Sequence, residues 1–159
     1  MKHIVGVADM RLSSGRDDEI VTHALGSCLG IVIHDSSAGV GGILHAMLPT
    51  GDIDPAKAQA NPWMFIDIGV PRFFLEAYAL GADKRRLVVK VAGGANVQSG
   101  IEDRFAIGKR NYMMLRKLFW KNSILIKAED VGGATPRTLH LSVATGRLLV
   151  SAGGVDREI

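Results

Sequence analysis

The sequence predicts an α+β protein in which mixed, largely antiparallel β-sheet is covered by helices. Short runs rich in Val and Ile alternate with Gly, Pro, Asn, Asp and Ser turns, as expected for strands joined by tight connections. Runs of neighbouring strands are interrupted by only two segments with helical spacing, which favours α+β over alternating βαβ units. With 159 residues and 47% hydrophobic side chains, we expect one domain over residues 1–159.

Four strands are predicted in the first part of the chain. They are His3–Ala8, Glu19–Leu25, Leu29–His34 and Val40–Met47. The composition of Asp35–Gly39 predicts a turn between the third and fourth strands, and Pro49 ends the fourth. The third and fourth strands are therefore expected to form a hairpin.

Two helices are predicted in the second part of the chain. The first spans Trp63–Leu80 and is capped by Gly81, while Pro71 either kinks this helix or begins it. The second, Gly108–Asn122, has the clearest amphipathic pattern. The remaining predicted elements are the strands Leu87–Ala92, Ile124–Ala128, Thr138–Ser142 and Arg147–Ser151, and a loop through Phe105.

Charge and hydropathy argue against several classes of protein. Nineteen basic and sixteen acidic residues leave a net charge of +3, and the basic residues are scattered, so nucleic-acid binding is not expected. The run Lys84–Arg86 is interpreted as solvated surface, with a weak preference for an acidic protein partner as the alternative. No window of about 18 residues is free of charge. Because the N-terminus also lacks a signal-peptide core, we expect a cytoplasmic protein without membrane insertion.

Cys28 is the only cysteine of the chain. It cannot form an internal disulfide, which agrees with a reducing compartment and leaves the thiol available for chemistry. A small buried hydrophobe is the alternative interpretation. The sequence lacks a dinucleotide fingerprint, a phosphate loop, His-Glu-x-x-His and paired cysteines, so no cofactor or metal is expected. Asp52, Asp54 and the glycine pairs at 93–94 and 132–133 are interpreted as turn residues.

The predicted hairpin brings Cys28 close to His45. A four-residue turn at Asp35–Ala38 pairs His34 with Gly39, and counting outward places Cys28 directly opposite His45. Directly opposed residues share a face, with Cβ atoms about 4.5–5.5 Å apart. An imidazole at this distance would raise the thiolate fraction at neutral pH. A slip of one residue would put the two side chains on opposite faces.

Residues just before Cys28 are expected to support it. A chain reversal there would bring Thr22 back to the hairpin, where it would orient the His45 ring. The backbone around Gly26 and Ser27 has little side chain to obstruct its N–H groups, which suits an oxyanion hole. The alternative is a purely structural Cys28–His45 pair. Three other histidines compete as the base: His23, His34 and His140.

Five segments that cover most of the chain carry a more specific pattern. They are THALGSCLGIVIHDSSAGVGGILHAMLP at 22–49, KVAGGAN at 90–96, IGKRN at 107–111, KAEDVGG at 127–133 and ATGRLLV at 144–150. In their order and spacing they resemble the chemoreceptor glutamine deamidases of bacterial chemotaxis, the CheD family. The implied fold is a sandwich of β-sheets flanked by helices, similar to a bacterial toxin glutaminase.

The resemblance implies a chemical role for each of three residues. Cys28 is the nucleophile, His45 is the base, and Thr22 orients His45. The implied reaction is hydrolysis of a receptor glutamine side chain to glutamate, with release of ammonia through a cysteine thioester. Methyl glutamates are implied as further substrates.

The resemblance also implies partners. These are the cytoplasmic helices of methyl-accepting chemoreceptors, as substrate, and a chemotaxis phosphatase of the CheC type. The stretch NPWMFIDIGVPRFF at 61–74 departs from the plainer amphipathic helix of the family, which weakens the inference about partners. One competing function is an adaptor that binds receptor helices or the phosphatase and uses Cys28 only for packing. A papain-like protease is disfavoured because the chain has no room for a second lobe.

Overall fold

The computed structural model describes residues 1–96 and 106–159. Two five-stranded, mostly antiparallel sheets confirm the predicted α+β class. The strands are β1 (Lys2–Val5), β2 (Asp9–Ser13), β3 (Glu19–Leu25), β4 (Leu29–Asp35), β5 (Val40–Ala46), β6 (Val88–Gly93), β7 (Ala128–Val131), β8 (Arg137–Ser142), β9 (Leu148–Ala152) and β10 (Val155–Glu158). The α-helices are α1 (Pro55–Ala60), α2 (Ile66–Ala79) and α3 (Ile107–Lys121).

The two sheets differ in strand order. The first has the order β1-β3-β8-β9-β10 and the second the order β2-β5-β4-β6-β7. Among the described strands, β1 runs parallel to β3 and β6 runs parallel to β7, and the other neighbours are antiparallel. The predicted hairpin, β4–β5, therefore lies in the middle of the second sheet.

Separate hydrophobic cores lie on the two faces of the second sheet. Between the sheets, Val32 and Ile43 of the hairpin pack in one cluster with Leu139 of β8. On the other face, Ile31 belongs to a cluster with Phe73 of α2 and further residues of α3. The layers are thus sheet, sheet and helices, which agrees with a β-sandwich flanked by helices.

The central hairpin is buried on both of its faces. Every residue of β4 and of β5 is buried, whereas buried and half-buried residues alternate along β8. A strand that is covered on both sides needs apolar or small residues throughout. This explains why the segment LGIVIH at 29–34 shows no polar alternation.

Several boundaries differ from the predicted ones. The first strand ends at Val5 instead of Ala8, and the unpredicted strand β2 follows it. The strand expected at Ile124–Ala128 lies further along, as β7. The short helix α1 and the strand β10 were also not predicted. The predicted loop through Phe105 includes residues 97–105, which lie outside the described residues.

The first long helix, α2, begins at Ile66 rather than at Trp63. The residues Pro62–Met64 form a separate 3₁₀ turn ahead of it. Pro71 lies inside α2 and does not begin it. Gly81, with a φ of 105°, follows the helix end in the left-handed conformation expected of a terminating glycine. No helix in the two described ranges is long and apolar enough to cross a membrane.

Candidate active site

The hairpin has a different register from the predicted one. His45 pairs with Gly30, and Cys28 lies just before β4, so the prediction that Cys28 is directly opposite His45 was wrong. The shift is two residues, which preserves the face of every side chain. Cys28 packs against the core between the sheets, the side to which His45 also points. Counted from the Gly30–His45 pair, Cys28 is two positions along the chain, the diagonal relation in which Cα atoms are roughly 7–8 Å apart and an aromatic ring can still reach across.

The buried side chain of Asp35 accounts for the shift. It accepts hydrogen bonds of 3.0 Å from the backbone N–H groups of Ser37 and Ala38. Burial alone would raise the pKa of this carboxyl group, but the Arg86 guanidinium and backbone N–H groups lower it to about 2. Asp35 is consequently the last residue of β4, paired with Val40, and not the first residue of the turn.

A hydrogen bond between the two sheets orients His45. Oγ1 of Thr22 lies 2.7 Å from Nδ1 of His45 and 2.8 Å from the carbonyl oxygen of Val5. The carbonyl can only accept, so the hydroxyl donates to Val5 and Nδ1–H of His45 donates to the hydroxyl. This leaves a neutral ring with its lone pair on Nε2. The contact of Thr22 with His45, expected from the sequence, is therefore present.

Nε2 of His45 is buried and has no hydrogen-bond partner among the described residues. Burial lowers the pKa of His45 to about 4. Burial also raises the pKa of the Cys28 thiol, partly offset by a hydrogen bond from its own backbone N–H. Both groups are uncharged at neutral pH, because a dry environment disfavours both charged forms. This differs from the enlarged resting thiolate fraction expected from the sequence.

The loop that carries Cys28 is held by its carbonyl groups. Each of three carbonyl oxygens accepts a hydrogen bond of 2.9 Å from outside the loop: Gly26 from the N–H of Ala95, Ser27 from Nδ2 of Asn111, and Cys28 from the N–H of Gly94. In a trans peptide the C=O and the following N–H point in opposite directions. The N–H groups of Ser27 and Cys28 therefore point away from these supports, as two neighbouring donors.

Gly93 permits this support to come close. Its φ is 109°, and a Cβ atom there would lie 2.2 Å from the carbonyl oxygen of Cys28. Any side chain would thus displace the peptide of Cys28. The sequence interpretation of Gly93 as a turn residue missed this contact, as it missed Asn111. Gly93 lies in the segment KVAGGAN and Asn111 in the segment IGKRN. Both segments resemble the CheD family, and this resemblance was the only indication in the sequence that the two residues could belong to the site.

The three competing histidines have other surroundings. Nε2 of His34 donates to a backbone carbonyl at 2.8 Å. Nδ1 of His140 lies 3.7 Å from the carboxylate of Glu19, and His23 is exposed. His45 combines burial, an orienting partner and an open nitrogen on the same face as Cys28. In residues 1–96 and 106–159, no group of three or more His, Cys, Asp or Glu could hold a metal ion.

A family model and several curated proteins are similar to this chain. Residues 47–152 match the family described as CheD chemotactic sensory transduction. The chain is 46% identical over 159 residues to the probable chemoreceptor glutamine deamidase CheD 1 of Syntrophus aciditrophicus (strain SB), with 98% of each chain covered. It is 45% identical over 156 residues to the probable chemoreceptor glutamine deamidase CheD of Solibacter usitatus (strain Ellin6076), with 98% of this chain and 92% of the relative covered.

Proposed function

The chain belongs to the CheD family, and on this premise we propose that it hydrolyses glutamine side chains of chemoreceptors to glutamate with release of ammonia. Cys28 is the nucleophile, His45 is the base and Thr22 orients His45. The observation that carries this proposal is the buried Nε2 of His45, which has no hydrogen-bond partner in residues 1–96 and 106–159 and lies on the face of the hairpin that carries Cys28.

The first chemical step is attack by the Cys28 sulfur on the amide carbon. Nε2 of His45 accepts the thiol proton as the sulfur–carbon bond forms, because the neutral ring carries its lone pair there. The carbonyl oxygen of the substrate becomes an oxyanion. The N–H groups of Ser27 and Cys28 supply two donors for it, and the orientation of their peptides is already fixed before substrate arrives.

The second step expels ammonia. Nε2–H of His45 gives its proton to the departing nitrogen, the carbon–nitrogen bond breaks, and a thioester to Cys28 remains. Nε2 then accepts a proton from water, whose oxygen attacks the thioester carbon. The carbon–sulfur bond breaks, the thiol regains its proton from His45, and glutamic acid leaves. One water is consumed and one ammonia is released for each glutamine.

The same proposed mechanism extends to methyl-esterified glutamate. Attack of the Cys28 sulfur on the ester carbon gives the same thioester, and His45 protonates the departing methoxide to methanol. A methyl ester has no amide N–H groups that the active site would have to accommodate. This reaction therefore requires only that the site accept a methoxy group. We include this methylesterase reaction and binding to a CheC-type phosphatase in the proposal, as implied by the resemblance, with action in the cytoplasm.

Thr22 shapes the expected efficiency of the catalyst. A neutral hydroxyl fixes the tautomer and the ring plane of His45, but it does not stabilise an imidazolium as a carboxylate partner would. The protonated ring that exists during each step is therefore short-lived. We expect turnover to be modest compared with that of enzymes whose catalytic histidine has an acidic partner.

The test is incubation of a purified chemoreceptor cytoplasmic fragment with this protein in water enriched in oxygen-18. Mass spectrometry of the fragment should show glutamines converted to glutamates that contain one oxygen from the solvent, together with free ammonia. Cys28→Ala, in a folded protein, should produce neither. Binding to the fragment without ammonia release would support the adaptor function instead, and cleaved peptide bonds would indicate a protease.

A further inference from the structure

Asn111 is a polar residue on the buried face of α3. The buried residues of this helix are Gly108, Asn111, Leu115 and Phe119, a spacing at which a helix normally presents apolar side chains. Asn111 is nevertheless 0% exposed. Its Nδ2 donates two hydrogen bonds, of 2.9 Å to the carbonyl oxygen of Ser27 and 3.0 Å to that of Met47.

The orientation of the Asn111 amide follows from these contacts. Two carbonyl oxygens can be satisfied only by the NH₂ end, because Oδ1 is itself an acceptor. Oδ1 is left buried without a hydrogen-bond partner among the described residues. An unsatisfied buried acceptor is destabilising. An apolar residue would avoid that loss, so the position of Asn111 is explained by its two donated bonds and not by packing.

Both bonds end on segments that carry the proposed chemistry. Ser27 directly precedes Cys28, and Met47 lies two positions after His45. One amide of α3 thus connects the loop of the nucleophile to the end of the strand that carries the base. The bond to Ser27 also turns the peptide between Ser27 and Cys28, so that its N–H points away from α3.

We propose that Asn111 is a positioning residue, which holds Cys28 in register with His45 and aims the Cys28 N–H at the oxyanion. The inference rests on the proposed function, because it assigns Asn111 to that same site. It predicts that removal of the amide slows the chemical steps while substrate binding is retained. A buried residue that only supports the fold would not separate these two quantities.

The experiment compares Asn111→Leu with Leu115→Ala, a matched change one turn along the same buried face. Asn111→Leu fills the space without donors, and Asn111→Ala provides a second variant if the larger side chain prevents folding. For either one we expect kcat to fall about 10- to 100-fold with KM changed less than about twofold, since a misdirected oxyanion donor is less damaging than an absent one. Leu115→Ala should lower the melting temperature and leave kcat within about twofold of wild type.

Alkylation of Cys28 by iodoacetamide gives a readout that needs no substrate. The pH at which the labelling rate reaches half its maximum should be higher in Asn111→Leu or Asn111→Ala than in wild type, because the Cys28 N–H no longer faces the thiolate. Leu115→Ala should keep the wild-type profile. If the Asn111 variants fold and match Leu115→Ala in kcat and in labelling, the proposal is overturned.

The two readouts also separate this inference from the proposed function. If wild type releases no ammonia or methanol from any receptor fragment, the proposed function fails, and the labelling profiles alone decide the role of Asn111. A higher half-maximal pH in the Asn111 variants would still support positioning of the Cys28 peptide. An unchanged profile would overturn it.

Discussion

The β4–β5 hairpin carries one buried histidine near each end. The two histidines differ in the surroundings of their Nε2 atoms. His34, near the turn, is 5% exposed, and His45, near the open end, is 1% exposed. Both point toward the other sheet. Nε2 of His34 donates to the carbonyl oxygen of Val143 at 2.8 Å, whereas Nε2 of His45 has no hydrogen-bond partner among the described residues.

The comparison teaches that burial does not identify a reactive histidine. A structural histidine is satisfied by the protein around it, as His34 is by a backbone carbonyl just after β8. A base must keep one nitrogen free for a proton while the other nitrogen fixes the ring. His45 meets that condition through Thr22, and its free nitrogen, Nε2, is on the face of the hairpin that carries Cys28. In His34 the ring is held by Nε2–H, and the lone pair on Nδ1 lies against Gly146, at the opposite end of the hairpin from Cys28. The following substitutions test whether this difference separates function from stability.

The largest effect is expected for His45→Gln. It removes the proposed proton carrier of both chemical steps, and we expect kcat to fall by about 10²- to 10⁴-fold. Ammonia release from a receptor fragment provides the measurement, with circular dichroism to verify folding. If a folded His45→Gln retained near-normal turnover, another group would have to be the base, and the functional distinction between His45 and His34 would be wrong.

Thr22→Val should have the next largest effect. It keeps the shape of Thr22 but leaves Nδ1–H of His45 without its acceptor, so the ring loses its fixed plane and tautomer. We expect kcat to fall about 10- to 1000-fold with little change in KM. Thr22→Ser, which retains the hydroxyl, is the control and should recover most of the activity. Full activity in Thr22→Val would mean that another contact orients His45.

The pH profile should follow the low pKa of His45. The ring accepts the thiol proton only when it is unprotonated, and burial lowers its pKa from 6.5 to about 4. We therefore expect kcat/KM to be level from about pH 5 to neutrality and to fall tenfold per pH unit below about pH 4. Steady-state assays on a soluble receptor fragment would measure it, with folding monitored at each pH. A decline centred near 6.5 would show that burial does not control this group.

The lowered pKa of His45 also makes the stability of the folded protein depend on pH. His45 binds a proton more weakly in the folded protein than in the unfolded chain, so lowering the pH favours unfolding. Its contribution to stability is complete above about pH 6.5 and is lost as the pH falls toward 4. The urea midpoint of wild type should decline over this window more steeply than that of His45→Gln. Parallel curves would contradict the assignment.

The smallest effect on catalysis is expected for His34→Gln. Loss of a buried hydrogen bond to the carbonyl oxygen of Val143 should lower the free energy of unfolding by about 1–3 kcal/mol, with kcat within about twofold of wild type. Urea denaturation and the ammonia assay measure the two quantities. A large loss of turnover without loss of stability would reverse the roles assigned to His34 and His45.

The sequence predicted the hairpin and the contact of Thr22 with His45, but not the register. The positions of strands can be predicted from runs of hydrophobic residues, and such runs are clear in the two buried strands of the hairpin. The register depended on whether Asp35 closes the strand or opens the turn, and the partner that decides this, Arg86, is 51 residues away. The predicted register was wrong by two residues, and a shift by an even number leaves each side chain on the same face of the sheet. The prediction that Cys28 and His45 share a face therefore still holds.

Elements without a hydrophobic pattern could not be predicted. All four residues of β10 are exposed, so backbone pairing with β9 holds this strand and its side chains carry no signal. Asn111 was missed for a different reason. Its contacts join residues 84 and 64 positions apart, and nothing in local spacing indicates which carbonyl groups a buried amide will meet.

The support of the Cys28 loop has a consequence for how the protein is made. Ser27 leaves the ribosome long before Asn111, and the N–H groups of Gly94 and Ala95 also follow much later. A nascent chain therefore displays its thiol before the peptide beside it has been oriented. Products that end before α3 contain Cys28 but lack the Asn111 donor. The proposed orientation of the Cys28 peptide is therefore complete only after α3 has been synthesised and has docked.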